Sequence, residues 1–205
     1  MRVRSFWSRA LHGVILPSMQ AHDVLSRVQP RRLARSEYDR IVEQGIFSDE
    51  RVELIYGIVV AMSPIGAAHA DVVDVLTRHF VRALGDRAVV RVQQPFAASV
   101  DSEPEPDIAL VPPGRYAERH PDQAFLVVEV AQASLDYDRT TKAALYAESG
   151  VSEYWVVDVT ARRVEVYDAP DAGFYANVRA FAPDDEIALG AFSDVKLSLS
   201  ELFGA

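Results

Sequence analysis

The sequence predicts an α/β fold in which a mixed central sheet is flanked by helices, and three observations carry that reading. Residues 124–131, AFLVVEVA, are a nearly continuous apolar run of strand length that holds one carboxylate, the pattern of a strand buried on both faces. His69 to Leu84 sets Val72, Val73, Leu76, Phe80, Val81 and Leu84 close to helical spacing, and Gly85 stands where a C-terminal cap belongs. Further on, a helical stretch is followed by EYWVVDV and RRVEVYD, two strand-like runs joined by a turn near Thr160 to Arg162.

The remaining elements fit around these. Ser36 to Gln44 reads as a short helix capped by Ser36 and ended by Gly45. Val52 to Met62, VELIYGIVVAM, is rich in β-branched residues around Gly57 and predicts a hairpin, which Ser63, Pro64 and Gly66 then break. Val89 to Val100 is strand-like around Pro95. The acidic, proline-containing turn Asp101 to Pro106 leads into a short strand from Asp107 to Val111, ended by Pro112, Pro113 and Gly114. Tyr137 to Ser149 is the helical stretch, ended by Gly150, and Phe174 to Leu202 adds further strands and a short closing turn. No internal repeat or linker is visible, so one domain is expected over residues 31–205, preceded by a loosely ordered basic extension over residues 1–30.

At 205 residues and 49% apolar content the chain can build a full core. The absence of cysteine excludes disulfides, thiolate nucleophiles and sulfur-bound zinc, and fits a reducing cytoplasm. No apolar run approaches the roughly 20 residues of a membrane helix, and Leu11 to Met19 is interrupted by His12, Gly13 and Pro17, unlike an export signal. A net charge of −9 argues against a protein that simply coats nucleic acid. The charge is uneven, however: Arg2, Arg4, Arg9, Arg27, Arg31, Arg32, Arg35 and Arg40 face only Asp23, Glu37 and Asp39.

Three residues stand out by position. Asp107 opens one strand, Glu129 lies inside the buried run, and Lys142 sits about one turn into the following helix. Two carboxylates converging on one point make a hard-oxygen site of the kind that holds Mg²⁺, and an ammonium beside them can stabilise charge on a phosphate. Taken singly, each has a plainer role: turn chemistry for Asp107, a strand-end ion pair for Glu129, and an i,i+4 pair with Asp138 for Lys142. The unpaired carboxylate in an apolar strand shifts that balance, because burying a lone charge is costly. Glu53 and Glu105 are further acidic candidates, Glu105 lying on the same side of an extended chain as Asp107. His69 at the head of the long helix is a weaker candidate, and Tyr146 and Trp155 read as packing residues.

The runs SEPEPDIALV and FLVVEVAQASLDYDRTTKAALYAESGVSEYWVVD, with SEYDRIVEQGIFSDERVELIYGIVVAMSPIGAAH upstream, resemble the Uma-two family of restriction endonucleases within the PD-(D/E)XK superfamily, over roughly residues 31–203. The resemblance implies a restriction-endonuclease-like core with Asp107 and Glu129 as metal ligands and the backbone carbonyl of Val130 as a third oxygen. Where the superfamily pattern places its lysine, this chain has Ala131; a family D-x-x-x-K is similar to Asp138 and Lys142, which makes Lys142 the stand-in. The expected function is therefore phosphodiester hydrolysis in nucleic acid, DNA above all, with Mg²⁺ or Mn²⁺ as cofactor. His69, Glu53, Glu105 and Asp138 are expected around the centre, and a homodimer is expected for cutting a duplex. The alternative is a weak or inactive nuclease-fold module for binding DNA or protein. Lys142→Ala is expected to abolish cleavage while leaving folding nearly intact.

Overall fold

The apolar run of residues 124–131 lies at the heart of the molecule. A computed structural model describes residues 30–204, and residues 32–205 cluster as one unit, to which all that follows refers. The expected basic extension falls outside the described residues but for Pro30.

Leu126–Ala131 forms strand β5, buried along its whole length, third in a six-stranded sheet. Its order is β3 (Val89–Val92), β4 (Ile108–Val111), β5, β6 (Glu153–Asp158), β7 (Arg163–Asp171) and β8 (Phe174–Phe181). Only β5 and β6 run parallel; every other neighbouring pair is antiparallel. A parallel pair needs a crossover, and helix α3 supplies it. This helix comprises Leu135–Tyr137, a π-turn Asp138–Lys142 and Ala143–Glu148 in unbroken succession.

The twofold alternation of β5 sorts its side chains between two cores. Leu126, Val128 and Val130 join Leu76 and Phe80 of helix α2 (Ala67–Leu84) on one face. That core is closed by β9 (Glu186–Ala188), β10 (Lys196–Ser198) and helix α4 (Leu199–Phe203). Val127 and Ala131 face the other core, where Tyr146 of α3 packs with Tyr154, Tyr167 and Tyr175. Glu129 shares the parity of Val127 and Ala131, so it points at α3.

A separate hairpin follows helix α1 (Arg35–Glu43). Strands β1 (Val52–Ile55) and β2 (Ile58–Ala61) are joined by Tyr56 and Gly57, both at positive φ (48° and 75°), the tight turn that matches strand twist. A Cβ on Gly57 would meet that of Arg32 at 2.5 Å, so glycine is required there. The hairpin is tied to the segment before β4 by reciprocal bonds between Leu54 and Glu103, 2.7 and 3.2 Å. That bridge carries Glu53 toward Asp107.

Burial and then Asp39 push the Glu103 carboxyl up to about 7 despite Arg35 nearby. Because the folded chain holds this proton more tightly than the unfolded one, stability falls as pH rises from the ordinary carboxylate range toward about 7. Glu103→Gln is therefore expected to melt like the native protein at about pH 4 and above it at about pH 8. Equal melting temperatures at both would refute this.

Two sequence expectations are corrected. The strand foreseen from Val89 to Val100 stops at Val92, because Gln93 turns into the left-handed region (φ 49°) and Pro95 has no N–H for a ladder. Helix α1 starts one residue early, and its entry is closed by the Glu37 carboxylate accepting the Ala34 N–H at 3.0 Å, not by Ser36.

Candidate metal and catalytic centre

Because β4 and β5 are antiparallel with Ile108 opposite Val128, Asp107 stands beside the far end of β5. Its Oδ2 accepts the Val130 N–H at 2.8 Å, while Oδ1 lies 2.8 Å from His69 Nε2 and 3.1 Å from Gln93 Nε2. Three donors, from a helix, a strand and the bend after β3, hold this carboxylate in one orientation. Gln93 drew no notice in the sequence; the same left-handed turn that ends β3 delivers it.

Lys142 is buried in α3 with its Nζ 2.5 Å from Glu53 Oε2 and 3.2 Å from Glu129 Oε1. Tyr146, four residues on and thus on the same helical face, donates its hydroxyl to Glu129 Oε1 at 2.7 Å. The aromatic read as packing material is therefore also a hydrogen-bond partner of the central carboxylate. The π-turn that ends on Lys142 is a local departure from α-geometry of the sort that recurs at functional sites.

Several expected partners are placed differently. Lys142 does not pair with Asp138, whose carboxylate accepts the Ser134 hydroxyl at 2.6 Å. Glu105 turns from Asp107 to pair with Arg51 at 3.1 Å, and its contribution to the cluster is a backbone N–H to Glu53, 3.3 Å. Glu53 is an ion-pair partner of Lys142. Removing Lys142 would thus strip two buried carboxylates of their cation, which overturns the expectation of a nearly unperturbed fold.

Burial pushes the Glu129 carboxyl up to about 8, with Lys142 opposing the rise. Burial alone would lower Lys142, but Glu129 and Glu53 outweigh it and hold the ammonium above its ordinary range. Asp138 is raised to about 6 by burial, against Ser134 and Lys142.

These groups line a cleft of about 790 Å³ whose walls include Asp107, Glu129, Val130, Lys142, Glu53 and His69. Among the described residues no three His, Cys, Asp or Glu side chains are grouped to hold a metal ion. A cation here would rest on Asp107 and Glu129, completed by the Val130 carbonyl and by water or substrate. The set is all oxygen and incomplete, which fits Mg²⁺, an ion that usually keeps several waters.

No helix among the described residues is long and apolar enough to cross a membrane. A search of curated proteins finds no match to this chain. Among solved structures, a crystal structure described as "a putative nuclease belonging to DUF820", from Anabaena variabilis, superposes with a TM-score of 0.69 at 17% identity. The match covers 84% of this chain and 98% of that one, and it shows a shared fold. A family model described as "Putative restriction endonuclease" matches residues 35–200, the whole region that builds the cleft, so the chain belongs to the Uma2 family.

Proposed function

We propose that this chain is a metal-dependent nuclease that hydrolyses phosphodiester bonds, with DNA as its substrate. One observation carries the reading: Asp107, Glu129 and Lys142, from a strand start, a strand interior and a crossover helix, converge on one cleft. The family description supports it.

Asp107 and Glu129, with the Val130 carbonyl, would hold Mg²⁺ or Mn²⁺. Bound there, the ion would polarise the phosphate and ease deprotonation of the attacking water. The chain's own groups do the rest. His69, Gln93 and the Val130 N–H fix the Asp107 carboxylate, and Tyr146 and Lys142 fix Glu129. Lys142 engages two of the three N–H donors of its ammonium on Glu53 and Glu129 and keeps one for a phosphate oxygen. Cutting both strands of a duplex is easiest with two such centres, which a homodimer would supply.

A second reading, a nuclease-fold module that binds DNA or protein without cutting, is favoured by two observations. Ala131 stands buried where the superfamily lysine belongs, and Lys142 is locked between carboxylates. Incubating the protein with plasmid, single-stranded DNA and RNA, with Mg²⁺, Mn²⁺ or EDTA, separates the two. Metal-dependent cleavage that Glu129→Ala abolishes is expected; binding without cleavage in either metal supports the module.

A further inference from the structure

Next to the catalytic cleft lies a second cavity of about 550 Å³, and Val60 and Tyr137 line both. Its other walls include Tyr56 and Ile58 from the hairpin, with the Arg32 guanidinium and the Asp101 carboxylate among its polar groups.

Tyr56 is the unusual member. A bulky residue at φ 48° is strained, since that turn position suits Asn or Asp. It is held there from several sides: its N–H donates to Ser102 Oγ at 2.8 Å, its carbonyl accepts Arg32, and its hydroxyl donates to Glu148 at 3.0 Å. The turn of the hairpin requires that conformation, and strain held by outside contacts also clusters at ligand clamps and active sites. Tyr137 adds a second anomaly, a buried hydroxyl with no hydrogen-bond partner. Ile58 is 47% exposed, an apolar side chain on the hairpin with nothing over it.

An aromatic and aliphatic chamber with a cation and an acceptor in its walls, opening beside a phosphodiester site, suits a planar ring with polar edges that is tethered to phosphate. We propose that this cavity is a nucleobase subsite, in which the base beside the scissile phosphate docks against Tyr56 and Tyr137. The inference rests on the phosphodiester reading above and deepens it. A base inside a duplex cannot enter such a chamber without leaving its stack, so the substrate is single-stranded or locally opened nucleic acid. Arg32, beyond its bond to the Tyr56 carbonyl, has further N–H donors for the backbone charge, and Asp101, whose Oδ1 accepts the Ser99 and Ser102 hydroxyls, has its Oδ2 for an exocyclic amino group.

The test uses the full chain and two short single-stranded DNAs, one with a single 2-aminopurine and one abasic at that position, in Ca²⁺ and in EDTA. Wild type is expected to quench the 2-aminopurine and to bind that strand at least about fivefold more tightly than the abasic one. Tyr56→Asn, which suits the left-handed turn better, is expected to keep or raise the melting temperature yet bind both strands alike. Should it fold poorly, Tyr137→Leu serves as the second variant with the same expected loss. Equal affinity of wild type for the two strands, no binding of either, or retained discrimination in folded Tyr56→Asn and Tyr137→Leu overturns the subsite. Quenching without Mn²⁺-dependent cleavage removes the hydrolysis reading and keeps the subsite; cleavage without base discrimination does the reverse.

Discussion

Lys142→Ala is expected to lose at least about a hundredfold in single-turnover cleavage and about 3–5 kcal/mol of folding stability. The two losses have separate origins. Activity is expected to fall because the ammonium that pairs with Glu53 and Glu129 inside the cleft is lost. Stability falls because Glu53 and Glu129 are both buried, and both lose the charge that offsets their desolvation. Adding Glu53→Gln to Lys142→Ala should recover part of the stability and none of the cleavage, since it removes one stranded charge without restoring a cation. Urea melts and quenched-flow cleavage on the single and double variants measure both quantities. Wild-type rates in Lys142→Ala would take this residue out of the mechanism; wild-type stability would take the ion pairs out of the folding account.

Asp107→Asn is expected to abolish the metal-induced rise in melting temperature and to lower cleavage by at least about a hundredfold. The native carboxylate accepts from three donors. An amide offers one oxygen and one NH₂, so His69 and Gln93 must both turn to present acceptors, or a donor meets a donor at a cost of about 1–3 kcal/mol before any ion is considered. A thermal melt with and without Mg²⁺ reads the first effect directly. His69→Ala leaves two donors on the Asp107 side chain, so it should shrink the metal shift without removing it. An undiminished shift in Asp107→Asn would mean that the ion binds elsewhere.

Much of this was legible from residue order. A carboxylate inside an eight-residue apolar run could only be an ill-tolerated charge or a held one, and the structure shows it held. The long helix was legible from its apolar spacing, and the hairpin from β-branched residues about Gly57. Contacts with no local signature stayed hidden. Glu53 and Lys142 meet across 89 positions through the Leu54–Glu103 bridge. Gln93 reaches Asp107 because a strand ended early, and Tyr146 looked apolar because its ring does pack while only its hydroxyl is spoken for. Glu105 was set beside Asp107 on the assumption of extended chain, yet it stands between two prolines outside any strand, and its carboxylate leaves toward Arg51.

The change from antiparallel to parallel pairing at β5 has a consequence for how chemistry of this kind can diversify. An antiparallel β4 begins where β5 ends, and the crossover helix begins at that same end, so connectivity alone delivers a strand start, a strand finish and a helix entrance to one rim. The opposite rim, where residues 112–125 join β4 to β5, is free of that duty. Its loop can lengthen, shorten or accept a grafted segment while Asp107, Glu129 and Lys142 keep their places.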